Sequence, residues 1–138
     1  MPQFNVNYSP PNVNEFVALR KSIGWGDTCH DMARDSLNNS LFHVTIRDGN
    51  ELVAMGRIVG DGAMFFYVQD VVVAPGYQGH GLGKLVMEHI ESYLATVVRK
   101  GATVGLLASK GKEGFYQRFG YCARNGENLG LGMCKFVE

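Results

Sequence analysis

Val71-Val72-Val73-Ala74-Pro75-Gly76-Tyr77-Gln78-Gly79-His80-Gly81-Leu82-Gly83-Lys84 runs from an apolar strand through a glycine-rich turn into a long amphipathic helix. The helix is predicted from Leu82, because Leu85, Val86, His89, Ile90, Tyr93, Leu94 and Val97 recur at helical spacing. Arg99 and Lys100 followed by Gly101 supply its stop. A helix that starts behind bare glycines leaves its first N–H groups unpaired, and its dipole favours negative charge there. The expected guest is a phosphate or pyrophosphate.

The glycine spacing narrows the choice of ligand. Gly79, Gly81 and Gly83 alternate, whereas a dinucleotide fingerprint needs its third glycine three positions after the second and an acidic residue about 20 positions on. A Walker loop needs two glycines five apart followed by Lys and a hydroxyl residue, and here Leu85 follows Lys84. Neither pattern is met.

The 138 residues fit one domain, and a 46% hydrophobic content can fill one sizeable core. Eighteen glycines, nearly twice the usual share of about 7%, imply many tight backbone sites. Thirteen basic and thirteen acidic residues cancel, so no field favours nucleic acid, and no stretch reaches the ~18 apolar residues of a membrane span. The start Met1-Pro2-Gln3-Phe4-Asn5 lacks a basic segment followed by an apolar one, so a cytoplasmic protein without a secretory signal is expected. Cys29, Cys122 and Cys134 are odd in number and lack zinc spacing, so neither a disulfide framework nor a metal is expected.

Along the chain, residues 3–8 read as a first strand ended by Ser9-Pro10-Pro11. Asn12 with Glu15 resembles a capping box, with Val13, Phe16 and Val17 inward on a helix running to about Ser22. Thr28 with Asp31 suggests a second short helix with Met32, Ala33 and Leu37 inward. Leu41–Ile46 and Leu52–Val59 flank Asp48-Gly49-Asn50, a hairpin signal, and Met64–Val73 is too apolar to lie at an edge. Thr103–Leu107 is expected as a buried strand parallel to it, Lys112–Phe119 as a short helix stopped at Gly120, and Tyr121–Arg124 and Leu131–Val137 as closing strands.

Two motifs carry a resemblance. Gln78-Gly79-His80-Gly81-Leu82-Gly83 resembles the pyrophosphate loop of the GNAT superfamily of acetyl-CoA-dependent N-acetyltransferases, and the stretch from Asp70 is most like glucosamine-6-phosphate N-acetyltransferases. Gly114-Phe115-Tyr116-Gln117-Arg118-Phe119-Gly120-Tyr121 is similar to the same family's Phe-Tyr motif, so the likeness covers roughly residues 64 to 121. It implies an α/β (α+β) fold, a mixed and mostly antiparallel sheet with helices on both faces and a strand-loop-helix cofactor site. It also implies acetyl-CoA as cofactor, a small-molecule amine as acceptor, and a homodimer as a common state.

The resemblance further implies that Val71, Val72 and Val73 run along the pantetheine arm, bonding it through backbone groups of Val71 and Val73, while Gln78 to Lys84, His80 included, hold the diphosphate. Tyr116 matches the family tyrosine that protonates the leaving thiolate; a phenol of pKa about 10 can do so at modest cost. Asp70 aligns with a carboxylate of the glucosamine-phosphate enzymes, but Gln69 precedes it and cannot take a proton. Direct attack after deprotonation through water is the expected route, with Asp70 or Gln69 orienting water or amine; the alternative for Asp70 is a bond to nearby backbone. Ser109 stands where many members carry an asparagine that touches the cofactor, leaving Lys110 or Lys112 as alternative phosphate contacts. Trp25, Asp27 and His30 are acceptor-side candidates, since an aromatic face and a carboxylate suit an amine cation; Trp25 equally suits a packing role. A noncatalytic acyl-CoA sensor of the same fold is the alternative function.

Overall fold

Asn12 and Glu15 form the expected capping box. Asn12 Oδ1 accepts from the Glu15 N–H at 2.9 Å, and Glu15 Oε2 accepts from the Asn12 N–H at 2.8 Å. Helix α1, Val13–Ser22, therefore begins one residue after Asn12 and buries Phe16, Val17 and Leu19. Arg47 clamps the same Glu15 carboxylate at 2.8 and 2.5 Å, tying the helix start to the sheet and holding that carboxyl below its ordinary range.

The computed structural model describes residues 3–138, so Met1 and Pro2 lie outside what is described. The chain divides into two compact units, one ending at Gly105 and one spanning Leu106–Glu138. In the first, strands β1 (Phe4–Asn7), β2 (Phe42–Asp48), β3 (Glu51–Gly60), β4 (Phe65–Val73) and β5 (Thr103–Gly105) lie in chain order across one sheet. The first four pair antiparallel and β5 joins β4 in parallel, reached through helix α3 (Leu82–Val97) as a crossover requires. Helix α3 packs on β2, β3 and β4, burying Leu82, Val86, Met87, Ile90 and Leu94. Helices α1 and α2 (His30–Asn38) pack on each other, and α1 covers β3 and β4.

Two details position the site. Met55 pairs with Val72 and Arg57 with Gln69, so the single residue Gly56 faces two residues of β4, Asp70 and Val71. That is a β-bulge, and Asp70 takes up the irregularity with φ 56, a left-handed conformation that Asp tolerates better than most residues. A side chain at Gly56 would meet Val86 at 2.6 Å and Ile90 at 2.9 Å, so glycine lets α3 lie directly on the sheet behind the bulge. The second detail is the end of α1, where the Trp25 N–H bonds the Arg20 carbonyl (3.1 Å) and the Gly24 N–H bonds that of Lys21 (3.0 Å), with Gly24 at φ 89. This Schellman motif turns Trp25 back over Arg20.

Several expectations are corrected. Helix α2 starts at His30 behind Cys29 with no side-chain cap, so Thr28 does not serve as one. Met32 is 62% exposed, while Ala33 and Leu37 alone carry the buried side of that short helix. Strand β5 stops at Gly105 and is half-buried to exposed rather than buried.

The second unit contains one helix, α4 (Glu113–Gln117), ended by another Schellman motif in which the Tyr121 N–H reaches the Tyr116 carbonyl and the Gly120 N–H that of Gln117. Residues 121–124 and 131–137 form no strand. Their β-branched and aromatic content raised that expectation, but a strand persists only when its backbone finds a ladder partner, and Gly126, Gly130 and Gly132 weaken the stretch. The three cysteines are exposed and unbridged.

Candidate active site

The glycine turn forms as its sequence requires. Pro75–Tyr77 makes one 3-10 turn, held to the β2–β3 hairpin by the Tyr77 hydroxyl donating to Asp48 at 2.7 Å, and that carboxylate pushes the phenol up to about 12. Gln78 Nε2 then donates to the Val73 carbonyl at 3.2 Å, folding the loop back on the strand end. Gly79 and Gly81 sit at φ 84 and 78, and a Cβ on either would meet nothing within 4 Å, so open space lies beside the backbone. Gly81 is the N-cap of α3 and provides no side-chain cap. The N–H groups of Leu82, Gly83 and Lys84 precede the first intrahelical bond, from the Leu85 N–H to the Gly81 carbonyl. An uncapped 16-residue helix fronted by two left-handed glycines with free space is a fitting seat for a diphosphate. His80 is exposed at its rim.

The strand feeding this turn keeps its parallel partner over only part of its length. The β4–β5 ladder covers Phe65–Tyr67 against Thr103–Gly105, and among the described residues no strand pairs with residues 68–73 along that edge. An extended ligand could therefore bond the backbone of Val71 and Val73 there, although the Val73 carbonyl is already taken by Gln78.

On the face covered by α1 and α2, Asp70 and Gln69, both singled out in the sequence, are joined by polar groups that were not. Ladder pairing sets His43, Arg57 and Gln69 side by side across β2, β3 and β4. Asp70 is 3% exposed and accepts from Arg57 Nε at 2.7 Å, from Arg20 Nη1, and from Gln69 Nε2 at 3.2 Å. Arg57 Nη1 also donates to the Ser36 carbonyl and the Ser40 hydroxyl, fixing it against the end of α2. Asp70 thus bonds side chains from two other elements rather than nearby backbone. Both guanidiniums lie on the Phe16 ring at 5.7 Å, and Arg20 also lies on Trp25 at 5.2 Å. A crevice too tight for a water molecule lies between Pro11, Phe16, His43, Met55, Arg57 and Asp70, and Arg20 stands outside it.

His43 Nε2 lies 3.1 Å from the Leu37 carbonyl; a carbonyl can only accept, so Nε2 carries the proton and donates it there. Burial pushes the His43 pKa below 6.5, the Leu37 bond opposes that change and the Arg57 charge adds to it. The unfolded chain therefore binds a proton near pH 6.5 that the fold resists, and stability is lost as pH falls below that value. Melting temperature is expected to drop between pH 7 and 5, each tenfold fall in the proton affinity of the folded state costing about 1.4 kcal/mol at the acid end. His43→Gln should flatten that part of the profile; an unchanged slope would contradict the assignment.

Of the other predicted residues, Asp27 pairs with Lys21 at 3.1 Å on the surface and His30 is exposed at the first turn of α2. Trp25 meets the site through Arg20. Tyr116 belongs to the second unit, half-buried among the rings of Phe115 (5.0 Å) and Tyr121 (6.4 Å), and burial raises its phenol above 10. Ser109, Lys110 and Lys112 are exposed in the same unit. Arg20, Arg57 and His43 escaped the sequence reading. The available signal was a charge inside each of two apolar strands, Arg57 and Asp70, which can be buried together only as a pair. Among the described residues no cluster of three metal-ligating side chains occurs, and no helix is long and apolar enough to cross a membrane.

A mixed five-stranded sheet with helices on both faces, a bulged inner strand and an uncapped helix behind a glycine turn defines an acyltransferase-type architecture. The model of the acetyltransferase (GNAT) domain family matches residues 38–123, more than half of the chain, and the chain belongs to that family. A crystal structure from meticillin-resistant Staphylococcus aureus, a protein of unknown function described as a "probable acetyltransferase", superposes with a TM-score of 0.88 at 32% identity, covering 96% of this chain and 100% of that one. An uncharacterized ycf52-like N-acetyltransferase of Prochlorococcus marinus is 32% identical over 112 residues, 78% of this chain and 61% of its own. The chain spans 52% to 64% of the length of this and similar curated relatives. Glucosamine-6-phosphate N-acetyltransferase from Arabidopsis thaliana shares the fold, with a TM-score of 0.67 at 17% identity and 99% coverage of both chains. Members of this family generally use acetyl-CoA.

Proposed function

We propose that this protein transfers the acetyl group of acetyl-CoA directly to a small primary amine. The observation that carries the reading is the uncapped start of α3 behind Gly79 and Gly81, continuous with a strand edge along which, among the described residues, no strand pairs with residues 68–73. Backbone N–H groups from Gly79 to Lys84 hold the diphosphate, and glycine is needed because a side chain would fill the space beside the loop. Gln78 shapes the loop through Val73. The pantetheine arm lies along Val71–Val73, next to the register shift at Asp70, and a backbone N–H of this stretch polarises the thioester carbonyl.

Asp70 acts in this scheme as a positioning residue. Three donors occupy its two carboxylate oxygens, so accepting a proton from the amine would require breaking an ion pair in a buried site. Its work is to fix Arg20, Arg57 and Gln69 against the bulge, while water carries the amine proton away. Tyr116, kept protonated by its burial, donates to the departing thiolate.

Acetyl-CoA at a hundred times its Kd is expected to stabilise the fold by about 2.7 kcal/mol, read as a rise in melting temperature that NAD and ATP do not produce. Free thiol should appear when an accepted amine is added. No rise at saturating acetyl-CoA would reject the cofactor; a rise without thiol release from any amine would assign the acyl-CoA sensor instead.

A further inference from the structure

The groups expected to greet an amine cation already hold the protein's own cations. The Trp25 ring is covered by the Arg20 guanidinium, and Asp27 is paired with Lys21. What the buried cluster offers instead is a surplus of positive charge: two guanidiniums, Arg20 and Arg57, share the single carboxylate of Asp70, and among the described residues neither has another acidic partner. The surplus is graded toward the surface. Asp70 keeps 1% of its side chain exposed and Arg57 9%, whereas Arg20 keeps 21%. Arg20 Nε is buried without a hydrogen-bond partner, a donor left over after Asp70 is satisfied. An unbalanced cation in such surroundings is stabilised most by an anion that enters with the ligand.

We infer that the acceptor carries an anionic oxygen group, a carboxylate or a phosphomonoester, a short distance from its amine, and that Arg20 receives it. This rests on the acetyltransferase reading above and names its substrate class. The arrangement serves the chemistry as well as recognition. Only the neutral amine can attack a thioester, and a nearby positive charge disfavours the ammonium form. The anion anchors the acceptor on Arg20 through charge-assisted bonds, and the amine is left to reach along β4 toward the bulge at Asp70 and Val71. Trp25, placed by the Schellman motif, packs against the guanidinium at 5.2 Å and helps to orient it.

Matched pairs of amines test this: β-alanine against propylamine, and phosphoethanolamine against ethanolamine. Each is assayed by thiol release with acetyl-CoA and, without acetyl-CoA, by thermal stabilisation of the full chain. In at least one pair the anionic member is expected to be preferred by about 10- to 100-fold in kcat/KM or in affinity, the size of one charge-assisted bond. The pair that responds distinguishes carboxylate from phosphate. Arg20→Gln should erase that preference by raising KM with little change in kcat, and Arg20→Lys, which keeps the charge, should restore part of it. Stabilisation of each variant by acetyl-CoA verifies that it is folded. Equal use or equal binding of both members in both pairs overturns the inference while leaving the acetyltransferase reading intact. Absence of stabilisation by acetyl-CoA overturns the reading beneath it.

Discussion

Asp70→Asn is expected to lower the unfolding free energy by about 3–5 kcal/mol, the cost of leaving a desolvated charge without its partner. Asn has the shape of Asp and tolerates the left-handed φ of 56 at this position, so the loss reports charge rather than backbone strain. Two guanidiniums would then face each other across a site whose carboxylate is 1% exposed. That loss is a large part of the roughly 5–15 kcal/mol that holds a typical domain together. Urea unfolding should show a lower midpoint at constant slope. Adding Arg57→Met to Asp70→Asn should recover much of the difference, because it removes one of the stranded charges and leaves an apolar stem beside Phe16. A single-variant loss under about 1 kcal/mol, in the range of exposed ion pairs, would mean that water screens the cluster and that the bulge does not depend on it.

Tyr116→Phe is expected to lower kcat by about 10²- to 10⁴-fold, the usual contribution of one positioned acid, with acetyl-CoA affinity changed less than about twofold. The pH profile is the sharper readout. Burial holds the phenol above 10, so it is protonated throughout the neutral range, and the loss of rate at high pH should fall above pH 10 in the parent protein. In the Phe variant that descending limb should vanish. A variant that keeps parental turnover would return Tyr116 to the packing role its neighbours Phe115 and Tyr121 already suggest.

The glycine turn proposed to hold the cofactor was legible in the chain because it is local. Gly79, Gly81 and the periodic run from Leu82 specify a turn and a helix start through dihedral freedom and spacing alone, and the structure has both where they were expected. The same holds for the Asn12–Glu15 box and the Asp48-Gly49-Asn50 hairpin. The polar cluster proposed for the acceptor was legible only in part: Asp70, Gln69 and Trp25 were singled out in the chain, but Arg20, Arg57 and His43 were not. Nothing local in the chain pairs Arg57 or Arg20 with Asp70. Only the β3–β4 register, with one residue of slack at Gly56, brings Arg57 to Asp70, and only the packing of α1 adds Arg20.

The residues in sequence thus determined the elements whose causes lie within a few positions: a strand, a glycine turn, a helix with open N–H groups, and through them the family. Tertiary structure decided what those elements enclose. A buried charge cannot choose its partner from neighbours in the chain; it is fixed by desolvation, which makes Asp70, Arg20 and Arg57 find one another across 50 and 13 positions of sequence. The closing strands failed for the related reason that a strand is completed by what lies beside it, which no run of β-branched residues can supply by itself.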